Sequence, residues 1–174
     1  MKTENKNKFL KNEFLTLTIL GALGVRDKNS PIYNKNVKQR EKEELKDFLR
    51  NKLIEYSKHY HKRVSEEQHI RNIEQFAREI TIKHKNILYK KEFRIGIAQK
   101  LLNLYLKYLW TSDKISEPPH CPFDNIIVSK INAKNIKWTA LNGIKEYKIL
   151  VEKAKKYSGK KSLAEWELEI WKRR

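Results

Sequence analysis

The stretch Ile95–Trp110, IGIAQKLLNLYLKYLW, is almost entirely apolar in a chain of which 34% of the residues are charged. Its apolar side chains cover most of the circumference of a helix, as in helices that pack on several sides. Lys100, Asn103 and Lys107 follow one another at spacings of three and four residues, which places them in one narrow stripe. The segment therefore predicts a central helix at about residues 95–110, whose polar stripe faces either water or a cleft.

The remaining segments also carry the periodicity of amphipathic helices, and strand signals are scarce. Between Leu45 and Tyr60, for example, apolar residues recur every three or four positions. The predicted helices lie near residues 9–23, 37–60, 65–84, 95–110, 124–131, 142–158 and 163–174. We therefore expect an all-α fold, a single compact multi-helix domain spanning residues 1–174. The N-terminal helix and loop, residues 1–36, are expected at its periphery.

Residues at the predicted helix ends support several of these boundaries. Ser65 precedes Gln68, and Ser162 precedes Glu165, by the three residues that separate the partners of a capping box. Gly24 stands where the first helix should end, as glycines often do. These positions predict where three of the helices begin or end.

The C-terminal part of the chain contains two short predicted helices. Asp124 is placed to cap the segment 124–131, although β-branched residues in that segment leave a strand open as the alternative. In the last helix, Trp166 and Ile170 are expected to pack inward. The basic residues 172–174 are expected to complement the helix dipole at its C-terminus.

The net charge is +18, from 39 Lys and Arg against 21 Asp and Glu. The excess positive side chains repel one another in a compact protein. Binding to a polyanion, which releases its counterions, relieves this repulsion. The charge therefore predicts nucleic acid as the partner. No apolar run approaches the length of a membrane span, and no segment has the face pattern of an interfacial helix, so a membrane partner is not expected.

Compartment and cofactor use are also constrained by the sequence. The apolar run near the N-terminus is interrupted by Lys11, Asn12 and Glu13, which favours a first helix over a signal peptide. Cys121 is the single cysteine, so no disulfide forms within the chain and a zinc site built on several thiolates is excluded. We expect a cytoplasmic protein without a metal or other cofactor.

Basic residues alternate with aromatic ones in several segments, such as YKKEFR at 89–94 and KINAKNIKW at 130–138. Lysine and arginine take up phosphate charge, and exposed aromatic rings stack on unpaired bases. The candidate contacts from these segments are Lys90, Lys91, Arg94, Lys137 and Trp138. Trp138 is expected in a loop and is the best candidate for an exposed stacking residue. These segments alone are compatible with a binding module that has no catalytic activity.

Two motifs suggest a more specific function. The run IGIAQKLL at 95–102 resembles the hairpin and second-helix start of helix-hairpin-helix DNA glycosylases, and CPFD at 121–124 is similar to a second element of that family. In this resemblance, Gly96 matches the first glycine of the hairpin. Lys100 matches the catalytic lysine of the bifunctional members, and Asp124 matches the catalytic aspartate.

The resemblance implies base excision at a flipped nucleotide. Lys100 would attack the sugar C1′ and form a Schiff base, while Asp124 would stabilise the cationic sugar or activate the nucleophile. On the same helix, Gly96, Gln99, Asn103 and Lys107 are further candidate contacts to the nucleic acid.

A ribonuclease is the other enzymatic alternative. Arg63 with His69, and Arg78 with His84, have the Arg-to-His spacing of small all-helical ribonucleases of the HEPN type, which they resemble in this feature. In that family the pair helps to activate the ribose hydroxyl and to stabilise phosphate charge. Otherwise His69 and His84 are expected to be ordinary surface residues.

Overall fold

The computed structural model describes residues 2–24 and 28–171, and these ranges contain seven α-helices and no β-strand. This confirms the predicted all-α class. The helices are α1 (Lys2–Leu23), α2 (Gln39–Ser57), α3 (Glu66–His84), α4 (Ile95–Trp110), α5 (Asn125–Lys130), α6 (Ile144–Ser158) and α7 (Leu163–Ile170). Three short 3₁₀ turns lie at Lys58–His61, Tyr89–Lys91 and Trp138–Ala140.

Helix α4 begins and ends where its sequence predicts, and it lies at the centre of the fold. Helices α1, α2, α3 and α6 all pack against it. Its apolar side chains Ala98, Leu101, Leu102 and Leu106 have no exposed surface. A helix that is apolar on nearly every side is stable only when other elements cover it, and this one forms the common core of the molecule.

The predicted caps account for the starts of three helices. The hydroxyls of Ser65 and Ser162 accept hydrogen bonds from the backbone N–H groups of Gln68 and Glu165. Asp124 Oδ1 accepts hydrogen bonds from the first N–H groups of α5, so residues 125–130 form a helix rather than a strand.

Helix α7 begins at residue 163 as predicted, but it ends at Ile170, since Trp171 has an extended backbone, whereas the predicted helix continues to residue 174. Trp166 is buried and Ile170 is partly buried against the core, as predicted. The expected contribution of residues 172–174 to the helix end lies outside the described residues.

Helix α1 begins earlier than its apolar pattern indicates. Residues 3–13 are exposed, whereas Leu15, Ile19 and Ala22 are buried. Phe14 stacks on Tyr108 of α4 with their ring centroids 5.3 Å apart. The second half of α1 is therefore part of the core. Within residues 2–24 and 28–171, no helix combines the length and the apolarity that crossing a bilayer requires.

Candidate functional site

The polar stripe of α4 faces neither water nor a cleft, which differs from both alternatives expected from its pattern. Lys100, Asn103 and Lys107 are only 7%, 0% and 9% exposed. The segment 118–124, called the proline segment below, and helix α7 provide their partners. The stripe is therefore a buried polar contact surface inside the protein.

Lys100 and Asp124, the two candidate catalytic residues, lie in direct contact. Lys100 Nζ is 2.6 Å from Asp124 Oδ2, and the two side chains are 9% and 27% exposed. The other oxygen of the carboxylate accepts hydrogen bonds from the N–H groups of Ile126 and Ile127. Asp124 thus caps α5 and pairs with α4 at the same time, which ties the start of α5 to the central helix.

Lys107 forms a second buried ion pair, with Glu167 of α7. Its Nζ is 2.6 Å from Glu167 Oε2, and both side chains are almost completely enclosed. The ammonium also lies over the ring of Trp171, 5.1 Å from the ring centroid. Burial raises the pKa of the Glu167 carboxyl, and the nearby Lys107 ammonium opposes that increase.

Gln99 and Asn103 hold the backbone of the proline segment. Gln99 Nε2 donates to the Phe123 carbonyl at 2.7 Å, and the Phe123 N–H donates back to Gln99 Oε1 at 3.1 Å. Asn103 Nδ2 donates to the Cys121 carbonyl at 3.0 Å. Both amide side chains, predicted as contacts to nucleic acid, are therefore buried and occupied by contacts within the protein.

Gly96 and Trp138 also have roles within the protein. The Gly96 N–H donates to the Leu141 carbonyl at 2.9 Å, and a Cβ at this position would overlap the carbonyl oxygen of Trp138. Trp138 is only 4% exposed, and its Nε1 donates to Asn125 Oδ1 at 3.0 Å. The expectation of an exposed Trp138 is wrong, because its 3₁₀ turn packs against the start of α4.

Arg94 is likewise buried, at 9% exposed. Its Nε donates to the Thr139 carbonyl at 2.7 Å, and its Nη2 donates to the carbonyls of Ser30 and Pro31. The guanidinium therefore joins two loops to the start of α4. Of the residues predicted to contact nucleic acid, only Lys90, Lys91 and Lys137 have exposed side chains.

A pair of buried histidines links four parts of the fold. The rings of His69 and His120 meet edge to face, with centroids 4.7 Å apart. Tyr60 bonds His69 Nδ1 at 2.7 Å, and Tyr147 bonds His120 Nδ1 at 2.8 Å. Burial lowers the pKa of both imidazoles, so they favour the neutral form.

The expectation that His69 is a surface residue is wrong, since it has no exposed surface. The signal was present in the sequence, because His69 lies on the same α3 face as the buried residues Ile73, Phe76 and Ile80. His84 is half-buried, with its ring edge-on to Phe48. Neither position offers a freely accessible base of the kind that the ribonuclease alternative requires.

An exposed basic surface occurs elsewhere, in a groove of about 500 Å³ between α3, the segment 90–95 and the start of α6. We call it the basic groove and define it by Arg78, Lys90, Lys91 and the 66%-exposed side chain of Ile82. Among the described residues, none of the three cations is in an ion pair. Two carboxylates, those of Glu74 and Glu92, also line the groove.

The two lysines stand on a fixed turn. Lys90 and Lys91 have φ values of 55° and 58°, a left-handed conformation that costs a non-glycine residue on the order of 1 kcal/mol. The turn is held by the Lys91 N–H, which donates to the Leu88 carbonyl at 2.9 Å, and by the Tyr89 N–H, which donates to the Ile32 carbonyl at 3.0 Å. The surrounding contacts therefore fix two adjacent ammonium groups at one edge of the groove.

Within the residues that the structure describes, no three or more His, Cys, Asp and Glu side chains are arranged to hold a metal ion. No family model matches the chain, and neither a curated protein nor a solved structure does. Its function is therefore inferred from its own residues and their geometry.

Proposed function

We propose that the protein binds nucleic acid, with DNA favoured over RNA, through the basic groove. One observation carries this proposal: Arg78, Lys90 and Lys91 line a single groove, and none of them forms an ion pair with Glu74, Glu92 or another described carboxylate. Elsewhere many cations are paired, as in the contacts of Lys52 with Glu55 and Glu79. Unpaired cations that share a groove are placed to neutralise adjacent phosphates.

The energetics favour this partner for two reasons. A net charge of +18 attracts a polyanion, and each phosphate that is neutralised releases condensed counterions. The left-handed turn fixes Lys90 and Lys91, so less backbone freedom is lost when they bind. Ile82 adds an exposed apolar side chain that can contact a base or a sugar. The preference for DNA follows from the glycosylase resemblance.

Replacing Arg78, Lys90 and Lys91 together by glutamine is expected to weaken binding to a short DNA duplex by about a hundredfold at moderate salt. The slope of log affinity against log salt should fall by about 3, because each lost phosphate contact contributes about 0.9. Fluorescence anisotropy over a salt series measures both quantities. An RNA duplex of the same sequence, measured in parallel, should bind more weakly.

The matched control replaces Lys148, Lys156 and Lys160, which are exposed, by glutamine, so that the net charge changes equally. This variant should keep most of its affinity and its salt slope. Equal losses in the two variants would mean that total charge, rather than the groove, determines binding. The absence of any binding by the unaltered protein would overturn the proposal.

A second candidate function is base excision by Lys100 and Asp124. The 2.6 Å contact between them supports it, because it brings together the amine and the carboxylate that this chemistry needs. The Lys100 side chain is 9% exposed, so a flipped nucleotide reaches it only if the proline segment moves away. The amine must also lose its proton before it can attack C1′.

Borohydride should then trap the protein covalently on DNA that carries a susceptible base, because it reduces the Schiff base to a stable amine. Suitable substrates are duplexes containing uracil, oxidised guanine, alkylated adenine or an abasic site. Lys100→Gln should abolish the trapped product while DNA binding persists, whereas Lys130→Gln, which alters an exposed lysine, should not affect it. Failure to trap any of these substrates counts against excision but leaves the binding proposal standing.

A further inference from the structure

A separate groove of about 370 Å³ lies between the first half of α1, the end of α2 and the end of α4. It shares no residue with the basic groove. Its walls are largely apolar, formed by Leu10, Phe14, Ile54, Leu109 and Ile115. We call it the α1 groove. Its volume lies within the range of small-molecule sites, about 300–1,000 Å³.

Four residues that line the α1 groove carry a positive charge or can acquire one. None of the lining residues is acidic. These four are Lys11, Lys58, His61 and Lys114, and all are exposed. Lys114 Nζ donates to the neutral amide of Asn7 at 3.2 Å. Within the described part of the chain, the other three side chains have no hydrogen-bond or ion-pair partner. The edge of the groove is therefore complementary to a negative charge.

Tyr105 provides a second and independent observation. Tyr105 lines the α1 groove and is only 1% exposed, and its hydroxyl has no hydrogen-bond partner among the described residues. Burial raises the pKa of Tyr105 to about 12, so the hydroxyl remains a neutral donor at physiological pH. A hydroxyl without a protein partner at the wall of the groove is available to donate a hydrogen bond to a ligand group that accepts one.

We propose that the α1 groove binds a small anionic amphiphile, a carboxylate with an aliphatic tail. The tail lies along the apolar walls, and the carboxylate lies among Lys11, Lys58 and Lys114. The Tyr105 hydroxyl supplies a hydrogen-bond donor within the groove. A protein partner fits less well, because only twelve residues line the groove, whereas stable protein interfaces use about 20–30 residues on each side.

Binding is tested with a dansyl-labelled undecanoate, whose fluorescence rises in an apolar site. The unaltered protein should bind this probe saturably, and decanoate should displace it. Decanol should compete at least about tenfold more weakly, because it lacks the charge, and decyltrimethylammonium should not compete. Non-saturable fluorescence, or equal displacement by the acid, the alcohol and the cation, would indicate adsorption to apolar surface and overturn the proposal.

Variants then locate the site. Lys11→Glu combined with Lys58→Glu should weaken decanoate binding about tenfold or more, and Tyr105→Phe should weaken it several-fold. The matched control, Lys83→Glu with Lys85→Glu, reverses two exposed charges on and beside the end of α3 and should leave binding unchanged. Unchanged affinity in the Lys11 and Lys58 double variant would exclude this groove. Displacement of the probe by an acidic amphipathic peptide but not by decanoate would replace the amphiphile with a protein partner.

Discussion

Replacement of Gly96 by alanine is expected to destabilise the protein by at least about 3 kcal/mol, the cost of severe overpacking in a core. The added Cβ would overlap the carbonyl oxygen of Trp138 and lie 3.3 Å from the Cβ of Leu141. Both obstacles are close to the backbone, so they cannot move aside by a side-chain rotation. Relief requires α4 to shift away from the turn that contains Trp138, which breaks the hydrogen bond from the Gly96 N–H. Urea denaturation followed by far-ultraviolet circular dichroism measures the loss.

The matched control is Gly21→Ala, a second glycine within a helix. A Cβ at Gly21 would meet only the end of the Leu104 side chain, at 3.0 Å, and a flexible side chain can adjust. Alanine has the higher helix propensity, so this variant should be neutral or slightly more stable. If the two variants unfolded at the same urea concentration, the close approach at Gly96 would not be a requirement of the fold.

Lys107→Met should destabilise the protein by about 3 kcal/mol near neutral pH, because it leaves the buried Glu167 carboxylate without its cation. The effect depends on pH. Burial already raises the pKa of Glu167 in the folded protein, and loss of the ammonium raises it further. When the pKa of a carboxyl is higher in the folded than in the unfolded state, the protonated form favours folding. This contribution to stability is lost as the pH rises through the pKa of the folded state. The penalty should therefore be larger at about pH 8 than at about pH 5.

The double variant Lys107→Met with Glu167→Leu isolates the ion pair. It removes both charges and keeps apolar volume between α4 and α7, so most of the lost stability should return. Denaturation of both single variants and the double variant at two pH values gives the coupling energy. Additive losses would show that the two side chains contribute through packing with other neighbours and not through each other.

The helices could be predicted from the sequence because their signals are local. The ends of α4 and the caps Ser65, Asp124 and Ser162 each depend on residues within a few positions. Hydrophobic periodicity and capping act over one or two turns, and tertiary contacts in this fold reinforce them. The apolar pattern does not predict the start of α1, because residues 2–8 are polar.

The environment of the polar stripe could not be predicted, because its partners are distant in the sequence. Asp124 lies 24 positions after Lys100, and Glu167 lies 60 positions after Lys107. The stripe alone is equally compatible with solvent, a cleft or a buried ion pair. The composition around Trp138 predicts a loop, and a short 3₁₀ turn lies there, but the burial of Trp138 depends on how this turn packs against Gly96.

The single thiol of this protein gives it an intrinsic reporter of motion. Cys121 lies in the proline segment, is only 1% exposed, and its pKa is raised well above the usual range by burial. Alkylating reagents attack the thiolate, so they modify Cys121 only in molecules that have opened enough to expose and ionise it. The rate of alkylation in native buffer therefore measures how often the structure around the proline segment opens, without any engineered label.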